Sequence, residues 1–146
     1  MTGDQRIMQA SLIFFTLLLS LNALAKSTPD PSGLWHTFDD DGELESTVAV
    51  RVDDGKLYAN VFELHNISEP NPACVACKGD LLGKPVIGMQ VINGLTLKKQ
   101  IWRKGTLFDP KTGSTHRARV WLDDGTLFVR GYVGFLYQTK AWQRAP

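Results

Sequence analysis

The sequence predicts an all-β protein, an eight-stranded antiparallel up-and-down β-barrel. Three observations support this fold class. Apolar and polar residues alternate with a period of two over several short runs, as in half-buried strands. Most of these runs end in short turns rich in Asp and Gly. Between residues 26 and 146, no segment has the apolar spacing of an amphipathic helix.

The first 25 residues are predicted to be a cleavable signal peptide. Arg6 supplies a positive charge, residues 7–21 are almost wholly apolar, and Ala23-Leu24-Ala25 has the small residues of a cleavage site. The apolar run is shorter than the roughly 20 residues that a membrane-spanning helix needs. A retained membrane anchor is the alternative. Cleavage after Ala25 predicts a periplasmic or secreted protein with no stable membrane anchor.

The rest of the chain suits a single domain with one hydrophobic core. Residues 26–32 are a polar lead with Pro29 and Pro31, which indicates a linker. Residues 33–146 are predicted to form the barrel. The formal net charge is only +1, and no long run of like charge appears. We therefore expect no nucleic-acid partner, since such proteins concentrate basic charge on one face. The sequence identifies no protein partner.

The first three strands follow from alternation and from the turns between them. They are predicted at residues 33–38, about 45–52 and 56–64, with turns at 39–42 and 53–55. In the second strand, Val48, Val50 and Val52 share one face. The third has apolar residues on both faces, so its sequence leaves the inward side open.

A segment from Asn66 to Pro85 interrupts this pattern. It holds three prolines, two glycines and both cysteines, and it is too long for a hairpin turn. Long ordered loops are often functional, commonly as lids. In a barrel, such a loop is suitably placed to cover the open mouth.

The alternation then resumes for five further strands. In the sixth, Ala118, Val120 and Leu122 share a face, and Asn93-Gly94 is predicted to be the turn after the fourth. The predicted strands are residues 86–92, 102–108, 114–122, 126–133 and 137–144.

Gly33-Leu34-Trp35 opens the first strand, and the last strand supplies Arg144. A closed barrel joins its first and last strands, so an aromatic ring beneath a guanidinium can seal one end. Gly-x-Trp at this position resembles the signature of the calycin barrels, the lipocalins and their relatives. The resemblance implies that Trp35 and Arg144 close the barrel. The alternative is that Trp35 is one more buried aromatic residue.

The chain from about Gly33 to Arg144 also resembles the bacterial secreted family known as domain of unknown function 2147. The order and spacing of several short motifs carry this resemblance. It implies an exported, lipocalin-like barrel without an established biochemical activity. His116 stands where the family often has an aromatic residue. The matching motifs are Gly33-Leu34-Trp35, Asp54-Gly55-Lys56-Leu57-Tyr58, Cys74-Val75-Ala76-Cys77-Lys78-Gly79, Lys84-Pro85-Val86-Ile87-Gly88, Asp109-Pro110-Lys111-Thr112-Gly113, Val129-Arg130-Gly131-Tyr132-Val133-Gly134 and Trp142-Gln143-Arg144.

Cys74 and Cys77 are the only cysteines, in a Cys-x-x-Cys pattern. We predict a structural disulfide that holds the shape of the long loop. A redox-active pair is an alternative, but it usually needs a helix N-terminus, and no helical pattern follows Cys77. A zinc site needs two more ligands, and the three histidines are scattered. Free thiols are the remaining alternative. We expect no metal and no cofactor.

The seventh strand leaves its orientation open. Phe128, Arg130 and Tyr132 share one face, and aliphatic residues with Gly131 form the other. If the aromatic and basic face is inward, it lines a cavity with one cation, suited to an acidic or amphipathic ligand. If the aliphatic face is inward, Arg130 is a surface residue.

No catalytic set stands out, because the serines lack a nucleophile-elbow context and the histidines lie far apart. The leading hypothesis is an exported protein that binds a small lipophilic or amphipathic molecule inside the barrel. Trp102, Phe128 and Tyr132 are the candidate lining residues, and Arg130 is the candidate anchor. One alternative is a filled barrel acting as an envelope or partner-binding module. Another is an enzyme built at the barrel mouth.

Overall fold

The computed structural model describes residues 28–146 and shows a closed barrel of eight antiparallel strands. Each strand pairs with the next along the chain, and β1 pairs with β8 to close the sheet. The eight-stranded antiparallel barrel predicted from the sequence is confirmed. The predicted signal peptide lies outside the described residues. The strands are β1 Gly33–Phe38, β2 Leu44–Asp53, β3 Lys56–Leu64, β4 Gln90–Lys98, β5 Ile101–Asp109, β6 Ser114–Asp123, β7 Thr126–Val133 and β8 Leu136–Arg144.

Helical structure in this part of the chain is limited to one 3-10 turn at Gly79–Leu81. Across residues 28–146 there is no helix with the length and hydropathy needed to cross a bilayer. For the described residues, the single 3-10 turn agrees with the prediction that residues 26–146 contain no regular helix.

The alternation of side chains along each strand decides what fills the interior. In β3, Leu57, Ala59 and Val61 are buried, so the side that the sequence left open is now assigned. In β6, Ala118 and Val120 belong to the same core, as the shared face predicted. The core is one apolar cluster inside the barrel, because antiparallel strands present every second residue to the enclosed side.

The connections alternate between the two ends of the barrel. The tight turns after β2, β4 and β6 lie at the end where β1 begins. The connections after β1, β3, β5 and β7 lie at the other end, and the long segment between β3 and β4 is among them. We call the first the closed end and the second the mouth.

One predicted turn is wrong. Asn93 and Gly94 lie inside β4, and the chain turns at Lys99 and Gln100 instead. Those two residues have φ values of +51° and +65°, a left-handed conformation that non-glycine side chains rarely adopt. The sequence has no glycine at this turn, so the turn could not be recognised from residue types.

Gly94 has a different purpose from the turn that its sequence suggested. It has a φ of +69°, and a Cβ on Gly105 of β5 would lie 2.3 Å from the carbonyl oxygen of Asn93. Gly105 therefore allows the backbones of β4 and β5 to approach closely, and Gly94 supplies the positive φ of β4 at this point. Glycine inside a strand commonly marks such an approach.

Candidate ligand-binding cavity

The closed end is sealed by Trp35, which has no exposed surface. Its indole Nε1 donates a hydrogen bond to the carbonyl oxygen of Pro31 at 2.8 Å. The guanidinium carbon of Arg144 lies 4.3 Å from the centre of the Trp35 ring. Arg144 Nη1 also donates to the carbonyl oxygen of Ser32 at 2.9 Å. The predicted placement of the Arg144 guanidinium over the Trp35 ring is thus present.

Gly33 makes room for that arrangement. Its φ is +130°, which side chains rarely adopt, and a Cβ at this position would lie 2.7 Å from Arg144 Nη1. The positive φ therefore favours glycine at this position of the Gly-x-Trp motif, and a Cβ would also displace the Arg144 guanidinium from its place over Trp35.

A cavity of about 570 Å³ occupies the mouth half of the barrel. Its wall is mainly apolar, with aliphatic residues from six strands and from the β3–β4 connection, and Trp142 is part of the lining. A space of this size and character suits one small lipophilic molecule. The aliphatic lining includes Val48, Val61, Leu64, Val86, Val91, Leu107, Val129, Val133 and Leu136.

Two buried hydroxyls interrupt the apolar wall. Thr37 Oγ1 and Ser46 Oγ lie 2.6 Å apart on adjacent strands, and both residues line the cavity. One hydroxyl donates to the other, so the accepting hydroxyl keeps its own proton. That proton is available to an acceptor on a bound molecule.

Two ion pairs stand at the mouth. Lys111 pairs with Glu45, and Lys140 pairs with Asp40. The hydrogen bond to Glu45 raises the pKa of Lys111, and the hydrogen bond from Lys140 lowers the pKa of Asp40. Both pKa shifts favour the charged forms of Lys111 and Asp40. All four residues line the opening of the cavity.

The long connection between β3 and β4 forms one wall of the mouth. A backbone bridge joins Ala73 to Pro85 at its base, and Cys74 and Cys77 form a disulfide, as predicted. The loop packs against the β5–β6 connection, where a Cβ on Gly113 would lie 2.1 Å from the carbonyl oxygen of Ala76. The backbone contact therefore leaves space only for glycine.

The expectation that this loop covers the mouth is not met. Of residues 65–89, Val86 is the member that lines the cavity. The predicted fourth strand began at Val86, but β4 begins at Gln90, and residues 86–89 belong to the loop. Met89 packs with the disulfide instead of with the barrel core. The loop therefore supports one wall of the mouth and does not cover the cavity.

Comparison with known protein families gives a match over residues 33–144, to the family described as an uncharacterized protein conserved in bacteria, domain of unknown function 2147. The chain belongs to this family. A solved structure of a Helicobacter pylori protein, described as belonging to the lipocalin family, is similar to this DUF2147 chain, with a TM-score of 0.71 and 19% sequence identity. The likeness covers 82% of this chain and 85% of the other, and at this identity it shows the fold alone. A comparison with curated proteins gives no match.

The predicted lining residues of this DUF2147 protein are mostly not in the cavity. Phe128, Arg130 and Tyr132 face outward, because Leu127 and Val129 point into the core. Turning this face of β7 inward would bury the Arg130 guanidinium and remove its hydration. Burying the aliphatic face of β7 has no such desolvation cost. Trp102 is buried, but it packs in the core and does not line the cavity. The assignment of these four residues as cavity lining is corrected accordingly.

The sequence reasoning missed the polar residues of the cavity. Thr37 follows Trp35 by two positions, so it lies on the same inward face of β1. Lys140 precedes Trp142 by two positions and shares the inward face of β8 in the same way. Extending the inward face of Trp35 along β1 would have found Thr37, whereas Trp142 had no predicted orientation from which to find Lys140. Within residues 28–146, no group of His, Cys, Asp or Glu is placed to hold a metal ion.

Proposed function

We propose that this DUF2147 protein is an exported carrier that holds one small lipophilic or amphipathic molecule in its barrel. The observation that carries the proposal is the 570 Å³ cavity, which is open at the mouth and has a mainly apolar wall. Ligand pockets for small molecules have volumes of roughly 300–1,000 Å³. A barrel filled by its own side chains would lack such a space.

The distribution of polar groups favours an amphipathic ligand over a purely apolar one. An apolar tail would lie along the aliphatic wall above Trp142. A head group would lie between Lys111 and Lys140 at the mouth, close enough to these lysines to be shielded from the carboxylates that also line it, Asp39, Asp40, Glu45 and Asp109. A lysine ammonium has three donors, so Lys140 can keep Asp40 and still donate to a carboxylate or hydroxyl of the ligand. These two lysines replace Arg130 as the proposed anchors.

Export is supported by two features of the chain. The predicted signal peptide would direct it out of the cytoplasm, and disulfides such as Cys74–Cys77 persist in oxidising compartments. We propose a periplasmic or secreted location on that basis.

The test uses protein recovered from the exported fraction of its own source. Native mass spectrometry should find a co-purifying small molecule, and 1-anilinonaphthalene-8-sulfonate, an amphipathic anion, should compete with it. Val129→Phe fills the cavity from a buried position and should abolish binding of the probe. Val75→Phe makes the same change on a residue that is 87% exposed and should bind normally. Unaltered probe binding by a folded Val129→Phe protein would contradict the proposal.

A further inference from the structure

The outer side of β6, β7 and β8 carries an unusual set of side chains. Three arginines lie among four aromatic residues, all on the outward face of adjacent strands. We call this surface the arginine face. Its members are Arg117, Arg119, Trp121, Phe128, Arg130, Tyr132 and Tyr137.

The guanidinium groups of this face lie over aromatic rings. The Arg130 guanidinium is 4.2 Å from the ring centre of Tyr137 and 5.1 Å from that of Trp121. Its Nε donates to Thr139 Oγ1 at 2.8 Å. Arg119 lies 5.4 Å from the ring centre of Tyr132. These contacts fix the arginines while their remaining N–H groups stay free for other acceptors.

The positive charge of the arginine face is not balanced by acidic side chains. Arg119 stands directly opposite Arg130 across β6 and β7, and like charges in that position destabilise a sheet. Among residues 28–146, no salt bridge includes Arg117, Arg119 or Arg130. Arg119 and Arg130 also line a shallow hollow with Lys99, and the one acidic residue there is Asp123. Such a surface is complementary to an anionic partner.

The β7–β8 connection next to this face is apolar and exposed. Phe135 is 94% exposed, and Val133, Leu136 and Tyr137 are each at least 60% exposed. We call residues 133–137 the apolar tip. The rings of Tyr132 and Tyr137 lie 6.0 Å apart, so the tip and the arginine face are one continuous surface. Contiguous exposed apolar residues of this kind mark a contact with a partner or a membrane.

We propose that the apolar tip and the arginine face dock the barrel reversibly onto a bilayer surface that carries anionic head groups. Phe135 and Leu136 would enter the interface, where apolar side chains leave water. The arginines would meet lipid phosphates, to which guanidinium groups donate in bidentate fashion. Tyrosine and tryptophan are the residues enriched at that depth of a membrane.

The same contacts disfavour single-stranded nucleic acid as the partner. Bases bind such sheets by stacking on open aromatic rings. Here guanidinium groups lie over Trp121, Tyr132 and Tyr137, so these rings are already engaged. A phosphate head group needs the guanidinium donors and not the ring faces.

The position of acidic residues sets the orientation. The β1–β2 connection at the mouth carries Asp39, Asp40, Asp41 and Glu43, and an anionic surface would repel it. The barrel would therefore lie tilted on its β6–β8 side, with the β1–β2 connection turned to water. The proposal does not depend on an occupied cavity. It goes beyond the proposed carrier function.

The test is co-sedimentation of the exported protein with vesicles of phosphatidylcholine, with and without phosphatidylglycerol. Only the anionic vesicles should bind the protein, and added salt should weaken binding. The double variant Arg119→Gln/Arg130→Gln should lose roughly thirtyfold in affinity, at the usual contribution of each cation near a charged surface. Phe135→Ser should lose about tenfold or more, because the ring no longer leaves water.

Matched controls lie elsewhere on the outer surface. Arg51 also lies over a ring, 4.8 Å from the centre of Tyr58, and Phe62 is 55% exposed. Arg51→Gln and Phe62→Ser should change vesicle affinity less than about twofold, which is within the range of neutral surface changes. All proteins carry the same N-terminus, checked by intact mass, so binding through residues 1–25 would be common to every variant.

Three results would overturn the proposal. One is equal affinity of the face, tip and control variants for anionic vesicles. Another is equal binding to both kinds of vesicle. The third is binding of a single-stranded oligonucleotide, lost in Arg119→Gln/Arg130→Gln, without binding to vesicles. Vesicle binding that persists in the cavity-filling Val129→Phe protein separates this proposal from the carrier function.

Discussion

The two ends of the barrel have opposite chemistry. At the closed end, Trp35 has no exposed surface, and Arg144 donates its hydrogen bonds to fixed backbone carbonyls. At the mouth, the charged groups belong to side chains of Lys111 and Lys140 that pair with other flexible side chains. Backbone partners cannot be exchanged for a ligand, whereas side-chain ion pairs can. The difference assigns the closed end to maintaining the fold, and it supports the proposal that the mouth receives a ligand.

The largest effect is expected from removing the seal of the closed end. Trp35→Ala should lower the free energy of unfolding by about 3–5 kcal/mol, as for other large-to-small core truncations. Urea unfolding followed by circular dichroism measures this. Trp121→Ala, on the half-buried outer face, should cost much less. A small effect of Trp35→Ala would show that the closed end does not dominate stability.

A smaller loss is expected from Gly33→Ala. The substitution imposes an unfavourable φ and places a Cβ against Arg144, so we expect a cost of about 1–3 kcal/mol. Gly134→Ala at the mouth is the control, since that residue also has a positive φ but open space around it. If both variants lose the same stability in thermal unfolding, backbone strain alone explains Gly33, and the contact with Arg144 does not matter.

The disulfide should contribute less to stability than to the shape of the mouth. The loop that Cys74 and Cys77 close is very short, so removing the bridge should cost about 2 kcal/mol or less. Thiol titration of the unfolded exported protein should find no free thiol. Cys74→Ser/Cys77→Ser should speed hydrogen exchange in residues 72–89 more than in β1. Two reactive thiols in the natural protein, or equal exchange at both ends, would contradict this.

The smallest change in stability is expected from the ion pairs at the mouth. Lys111→Met should leave unfolding almost unchanged, since exposed pairs contribute about 0–1 kcal/mol. It should nevertheless weaken binding of an anionic amphiphile more than binding of a neutral one with the same tail. Isothermal titration with the two amphiphiles measures the difference. Equal weakening would place the head group elsewhere.

The pH dependence of these pairs follows from their pKa shifts. Because the pKa of Asp40 is lowered, its pair with Lys140 is intact whenever the pH lies above the ordinary pKa of an aspartate. The pair is lost as the pH falls through the lowered pKa. Because the pKa of Lys111 is raised, its pair with Glu45 is intact whenever the pH lies below the ordinary pKa of a lysine. The pair is lost as the pH rises through the raised pKa. Affinity for the anionic amphiphile should therefore be nearly constant from about pH 5 to 9. A transition inside that range would show that neither of these two pairs controls the affinity.

Most of the barrel could be predicted because local patterns repeat along it. Alternation in β6 and the Asp-Gly turn after β2 each report on their own few residues, and both predictions are confirmed. The β4–β5 turn was missed because Lys99 and Gln100 adopt left-handed conformations without the glycine that usually reveals them. The closure by Trp35 and Arg144 was predictable only through a family resemblance, since its partners are distant in the chain.

The cavity was harder to predict because orientation is a property of the whole sheet. Phe128, Arg130 and Tyr132 form as regular a face as Leu127 and Val129, and local spacing cannot say which face is enclosed. Only the pairing of β7 with both neighbours fixes that choice. The ion pairs at the mouth depend on loops from different hairpins, so no short stretch of sequence contains their signal.

The bond between Arg144 and Ser32 spans 112 positions, which has a consequence for the order of folding. Strand β1 meets β8 only through residues at the extreme C-terminal end of the described chain. Native pairing over such a separation is slow, because the entropy of loop closure is lost before the contacts between the two strands stabilise the chain. Until the last strand arrives, β1 and β7 both present unpaired edges on which other chains can assemble. A chain truncated before Trp142 should therefore aggregate during refolding, even though seven of its eight strands are complete.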